Sequence, residues 1–396
     1  MFRHTIPLGR IFGIAVDLDY SWFLVLGLFT WMLAVSYFPS EFKNWNTPEY
    51  WLMGALTAVL FFVCVLLHEL GHSFVAMHYK IQVPRITLFI FGGVSQIAGE
   101  PPSAGAEFWI AVAGPIVSFA LAALFLVLQP LLTTISPLLA TAKYLALING
   151  MLAVFNLIPG FPLDGGRVFR AIVWGVSHNF RKATLIAADT GRFIGFLFIA
   201  FGVWLALQGN FFNGLWIAFI GWFLESAAAA QVQQQVTQGL LAGHKVSEAM
   251  GRDYATIPAD TTLERVVHDY ILTSGRTSFV IMNDSEVVGL LTLAVIRKVP
   301  RAQWPTTTAL GALIPAKQMQ SIRPDAELWT ALEQMGRNGV AQLPVMTDKT
   351  ILGMLSRDDL IHYLGLLQED VMGSISDAVA RHALCSVEIV RIRPEH

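Results

Sequence analysis

Charge is what this sequence has least of. Asp, Glu, Lys and Arg make up 14% of its 396 residues, where a soluble domain carries roughly 25%. The deficit is uneven. From Tyr20 to about Ala230 the chain is mostly apolar runs, whereas from about His244 onward charges are interspersed at ordinary density. A membrane half followed by a cytosolic-type half is expected. Basic clusters are missing too, and the net charge is −2, which argues against a nucleic-acid-binding role. Cysteine is scarce: Cys64 falls in an apolar run and Cys385 lies far from it, so no disulfide framework is expected. The opening segment MFRHTIPLGR lacks the basic-then-apolar-then-small pattern of a cleaved signal. The first apolar run is therefore expected to be retained.

A spanning helix needs about 20 mostly apolar residues. Tyr20–Phe38, Trp51–Met77 and Ala106–Pro130 qualify, as does a run from about Tyr144 that breaks near Pro159 and Pro162. Gly191–Gln208 and Phe211–Ala230 read as a helical hairpin, giving six spans. Arg3 and Arg10, then Lys80 and Arg85, then Arg167, Arg170, Arg181, Lys182 and Arg192 fall in alternate loops. Their bias places the N-terminus, and after six spans the C-terminal half, in the cytoplasm of a multi-pass cell-membrane protein. Between the second and third spans, Val83–Ala98 is rich in β-branched and aromatic residues around Gly92-Gly93. It reads as two short strands, and an open strand edge must be buried in protein or line a wet cavity rather than face lipid.

The second span contains His68-Glu69-Leu70-Gly71-His72. On a helix, residues four apart share a face, so both imidazoles can ligate one zinc, with Glu69 placed to take a proton from water. An acidic residue in a span costs on the order of 3 kcal/mol, and a metal site offers compensation. A catalytic zinc wants three protein ligands and an open position. Asp164 is the best third candidate. It lies in Asn156–Arg167, where two prolines and three glycines free the backbone, whereas Glu100 and Glu107 merely flank spans.

HELGH within a span, followed by FNLIPGFPLDGGR, resembles the site-2 protease family of intramembrane metalloproteases over roughly residues 1–230. The resemblance implies that His68, His72 and Asp164 hold one Zn2+ per chain and that Glu69 activates water. It also implies that Asn156 positions substrate or stabilises the oxyanion. Gly92 and Gly93 would belong to the membrane-associated β region that engages unwound substrate, consistent with strand addition. No inserted PDZ-like domain is visible between the spans.

The C-terminal half holds a weak internal repeat, each copy ordered helix, strand, turn, strand, helix. Thr262-Leu-Glu-Arg-Val-Val precedes Val287-Val-Gly-Leu-Leu-Thr-Leu, and Ala326-Glu-Leu-Trp-Thr-Ala precedes Ile351-Leu-Gly-Met-Leu-Ser-Arg-Asp-Asp-Leu. This resembles a tandem pair of cystathionine-β-synthase-type (CBS) domains, modules that often bind adenine nucleotides and frequently dimerise. The resemblance makes Ser356 and Asp359, following Gly353, candidates for ribose and phosphate contacts. The same two residues also suit a helix N-cap. The first copy has Gly289 and Thr292, but Val295 in place of the acid.

The expected fold is thus a polytopic α-helical membrane domain of about six spans with a β-hairpin (1–235), followed by an α/β tandem CBS pair (244–300 and 306–366) and a tail (367–396). The expected function is intramembrane zinc endopeptidase, acting on transmembrane segments of substrate proteins and modulated by adenine nucleotide. A CBS-regulated membrane transporter is the alternative, since intramembrane ionisable residues alone fit it.

Overall fold

The computed structural model describes residues 5–90, 92–283, 286–347 and 350–367, and the chain divides into two units between Gln235 and Val236. Beyond Leu367, the tail lies outside the described residues.

In the first unit, two strands not expected from the sequence precede the first span: β1 (Thr5–Ile11) and β2 (Ile14–Asp19). Then come α1 (Ser21–Met32), a π-helical stretch (Leu33–Tyr37) and α2 (Phe38–Glu41), which together make one span. Helix α3 (Thr47–His78) starts at a capping box in which Asn46 and Glu49 satisfy each other's backbone N–H groups. The hairpin follows as β3 (Gln82–Phe89) and β4 (Gly92–Ala98). Four helices come next: α4 (Ala104–Leu128), α5 (Ser136–Asn156), α6 (Asp164–Ser177) and α7 (Phe180–Leu207). Helix α8 (Phe211–Leu241) ends the series.

Six helices among the described residues are long and apolar enough to cross a membrane. The fourth starts at Ser136 rather than near Tyr144, the fifth at Phe180 rather than Gly191, and the sixth continues to Leu241 rather than Ala230. The reason is physical. Hydropathy marks the part of a helix suited to lipid, but backbone hydrogen bonding carries on through polar turns such as Arg181-Lys182 and Gln233–Gln235.

The strands form one sheet in the order β1-β2-β3-β4. The outer pairs are antiparallel, while β2 and β3 run parallel with Ala15 opposite Arg85 and Leu18 opposite Leu88. Parallel neighbours require that the chain between them go out and come back, so the excursion through α1–α3 returns to the side it left. Asp17 and Arg85 close an ion pair of 2.6 Å across these strands. Ile14, Ile86 and Val83 on the sheet pack with Leu70 and Ala76 of α3 and Ile110 of α4. The sheet is thereby fixed to the half of α3 that carries the HELGH sequence. Hydroxyls of Thr57 and Thr141, 2.9 Å apart, join α3 to α5, the interhelical hydrogen bonding typical of membrane bundles.

The second unit contains a sheet ordered β5 (Thr256–Pro258), β6 (Ser278–Asn283), β7 (Glu286–Thr292), β8 (Ile314–Pro315). A separate antiparallel pair is made by β9 (Gln342–Thr347) and β10 (Thr350–Ser356). Both copies of the repeat are present. In the first, helical turns over 263–274 lead into β6, β7 and a short helix from Leu293, around a core with Leu263, Phe279 and Leu291. In the second, a helix over Leu328–Asn338 leads into β9, β10 and helical residues 357–367, around Leu328, Leu343 and Leu355.

Candidate metal centre and paired clefts

His68 and His72 project from one face of α3, and each is only 4% exposed. Asp164 is the first residue of α6. The chain brings it there by a tight fold-back over Leu157–Leu163. Gly165 and Gly166 press against the backbones of Leu157 and Gly160 so closely that any side chain would overlap them. The Phe161 N–H donates to the Ala187 carbonyl at 3.3 Å, tying the loop to α7. The glycines of this motif thus serve close backbone approach rather than mobility.

The Nε2 atoms of His68 and His72 are 3.2 Å apart, and each lies 3.1 Å from Asp164 Oδ2. Donors so spaced can all reach one ion at the roughly 2.0–2.2 Å of Zn–N and Zn–O bonds. The outer nitrogens are also held. His72 Nδ1 is 2.7 Å from the Ile110 carbonyl and His68 Nδ1 is 2.8 Å from the Ser118 hydroxyl. A carbonyl only accepts, so His72 carries its proton on Nδ1 and turns the Nε2 lone pair inward; the Ser118 hydroxyl, which can donate or accept, is compatible with the same tautomer of His68. Both partners lie on α4. A Cβ at Gly114 of that helix would fall 2.5 Å from His68 Nε2 and closer still to His72 Nε2. Glycine there leaves a space against the converged donors that any other residue would fill. A buried two-nitrogen, one-oxygen set with room beside it fits zinc and leaves a further position for water.

Glu69 is half-buried beside this cluster, and Ser95 of β4 donates to its Oε2 at 2.6 Å. Gly93 lies so near that a Cβ would sit 2.5 Å from Glu69 Cγ, while Gly92 opens the strand with φ of 124°. Asn156 is the last residue of α5, half-buried, and forms no side-chain hydrogen bond among the described residues. Glu107 is not in the metal cluster. It is fully buried and accepts from Arg170 Nε at 2.8 Å, with Arg167 Nε at 3.9 Å. The guanidinium of Arg170 is sandwiched by the rings of Phe161 and Phe180, at 5.0 and 4.7 Å. Two residues counted in the sequence as loop cations therefore lie on helix α6 facing Glu107, Arg170 buried and Arg167 half-buried, and Arg170 binds α6 to α4.

Gly114, Ser118 and Ser95 escaped the sequence reading. The first two had a detectable signal: a Gly-Pro pair and a serine inside an apolar helix need a reason. Nothing in the sequence marked Ser95.

The second unit holds two clefts between its copies. One, of about 410 Å³, is lined by Thr292, Val295, Lys298, Val340 and Pro344 among others. The other, of about 280 Å³ and more polar, takes in Tyr254, Arg276, Ser278, Ser356 and Asp359. Ser356 and Asp359 are bonded to each other. The Asp359 carboxylate accepts from the Ser356 N–H (2.8 Å) and hydroxyl (2.6 Å), and the Asp359 N–H donates to Ser356 Oγ (3.1 Å). This is a capping box opening helix 357–367, set in the wall of a cleft. Thr292 begins the corresponding helix of the first copy, accepting from the Val295 N–H at 3.4 Å.

The chain is similar to known proteins. The model of peptidase family M50 matches residues 56–135 and 132–202, and that of the CBS domain matches 246–301 and 311–366. A Mycobacterium tuberculosis protein named zinc metalloprotease Rip3 is 35% identical, covering 90% of this chain and 92% of its own. Zinc metalloprotease MJ0392 of Methanocaldococcus jannaschii is 29% identical, covering 75% of this chain and 80% of its own. The solved structure of the site-2 protease from Methanocaldococcus jannaschii is 32% identical, covers 58% of this chain and 95% of that one, and aligns with a TM-score of 0.42. With likeness to Rip3 running through nearly the whole of both sequences, the chain belongs to peptidase family M50, the site-2 protease family of membrane zinc metalloendopeptidases, here carrying a tandem CBS pair.

Proposed function

We propose that the protein performs regulated intramembrane proteolysis, cutting transmembrane segments of substrate proteins under control of adenine nucleotide at its CBS pair. The observation that supports this best is the meeting of His68, His72 and Asp164 beside Glu69, with an open strand edge next to them.

In this reading His68, His72 and Asp164 hold zinc. When bound, zinc supplies Lewis acidity, polarising the scissile carbonyl and acidifying the attacking water. Glu69 takes the proton from that water and passes it to the leaving amine. The Asn156 amide, which has no partner of its own among the described residues, donates to the oxyanion as it forms. A substrate helix must unwind before its carbonyl is accessible. Its freed backbone groups are satisfied by addition to β4 at Gly92 and Gly93. The N-terminus and CBS pair face the cytoplasm, as the remaining basic residues near the span ends, Lys80, Arg181 and Lys182, favour. Adenine nucleotide binds in the cleft that holds Ser356 and Asp359, and copies of the protein pair through their CBS domains.

The test uses purified full-length protein in detergent with a fluorogenic single-span peptide. Glu69→Gln should abolish cleavage while keeping about one zinc per chain. Retained cleavage would remove Glu69 as the base. No chelator-sensitive cleavage by the wild type would overturn the protease reading. Calorimetry with AMP and ATP tests the CBS proposal separately; no heat with either would reject it.

A further inference from the structure

Among the described residues, strand β4 is bonded to β3 on one side and to no strand on the other, which leaves an edge. It is also the element that touches Glu69. Residues 93 and 95 lie two apart and so share a face of the strand, and both meet this one side chain. The Gly93 backbone lies against its Cγ, and the Ser95 hydroxyl donates to its Oε2 at 2.6 Å, the length of a charge-assisted bond. The main chain of Glu69 is pinned independently, because the fully buried Ser73 donates to its carbonyl at 2.8 Å. Ser95 Oγ is also within 3.4 Å of Ser73 Oγ and of that carbonyl. One carboxylate oxygen is therefore held from the strand, while Oε1 has no hydrogen bond among the described residues and remains free for water.

We infer that Ser95 is a positioning residue for Glu69, so that the strand offered to the substrate also aims the base. This rests on the reading of β4 as the edge that receives unwound substrate. An added strand would bond to the outer N–H and C=O groups of β4 and fix the strand in place. Ser95 travels with that backbone, and Glu69 with Ser95. Correct seating of substrate and correct aim of the base become a single event.

Side-chain misplacement of about 1 Å can cost 10²-fold in rate, so Ser95→Ala should lower kcat by roughly tenfold to a hundredfold. KM should stay within about twofold and zinc content should not change, because among the described residues the hydroxyl meets Glu69 and Ser73 and none of His68, His72 and Asp164. Ser95→Thr, which keeps the hydroxyl, should recover most of kcat. The readout independent of turnover is binding: in the Glu69→Gln background, adding Ser95→Ala should leave the Kd for the same single-span peptide within about twofold. Wild-type kcat in Ser95→Ala would overturn the inference, as would no recovery in Ser95→Thr. A tenfold weaker Kd in the double variant would also overturn it, since Ser95 would then be a plain substrate contact. If the wild type itself cleaves nothing, the protease reading falls and this inference with it; if the wild type cleaves and Ser95→Ala matches it, only this inference falls.

Discussion

Removing the Glu107 carboxylate should loosen the first unit and weaken its hold on metal together. Glu107 is completely buried and is the carboxylate that both Arg170 and Arg167 face, at 2.8 and 3.9 Å. Glu107→Ala leaves the buried Arg170 without its anion, while Arg167 keeps the negative charges of Asp164 and Glu69 nearby. Breaking a buried pair in this way costs about 3–5 kcal/mol, most of it the penalty of the stranded charge. For a unit of this size each kcal/mol moves Tm by about 2–4 °C, so the expected loss is on the order of 6–20 °C. The aromatic sandwich around Arg170 would survive and temper the loss by about 1–2 kcal/mol. The second effect is local. Arg170 lies less than two turns from Asp164 on the same helix, while both histidines are held by α3 and α4. A shifted α6 moves one ligand relative to the other two. Thermal unfolding at fixed scan rate in one detergent, paired with zinc competition against a chelator, reads both. Glu107→Leu combined with Arg170→Met should recover much of the lost Tm, because apolar replacement of a buried pair is often near neutral. A Glu107→Ala variant melting within 2 °C of wild type, with unchanged zinc affinity, would refute the reasoning.

Three further outcomes follow from the geometry. Asp164→Ala should lose stoichiometric zinc by metal analysis while keeping its helical circular dichroism; full zinc would place the third ligand elsewhere. Ser118→Ala should weaken zinc about 10–100-fold through loss of the bond that orients His68, and an unchanged chelator titration would deny Ser118 that role. Asp359→Ala should destabilise the CBS unit by about 1 kcal/mol even without nucleotide, because it removes half of a capping box; a melting point unmoved in nucleotide-free buffer would show the cap to be idle.

The pairing of His68 and His72 on one face was legible because residues four apart on a helix share that face and because polar groups inside an apolar run demand a cause. The hairpin was legible from β-branched residues around two glycines. Asp164 came within reach only because prolines and glycines around it betray a broken helix. The supporting contacts were not legible in the same way. Ser95 meets Glu69, and Glu107 meets Arg170, across 26 and 63 residues of sequence. No periodicity records which of several polar residues fold together. Residues 5–19 were missed because their strands gain meaning only beside β3, whose partner they become far along the chain. Gly93 suited a turn equally well, and only coordinates reveal that its missing side chain makes room for a carboxylate.

The sheet has a practical corollary for anyone handling this protein. Its two rims are β1, which starts at Thr5, and β4, which cradles Glu69. A purification tag or reporter joined ahead of Thr5 would hang from one rim of a four-strand platform whose opposite rim hydrogen-bonds Glu69. An N-terminal fusion is therefore a poor choice for kinetic work, and a silent preparation made that way would say little about the native enzyme.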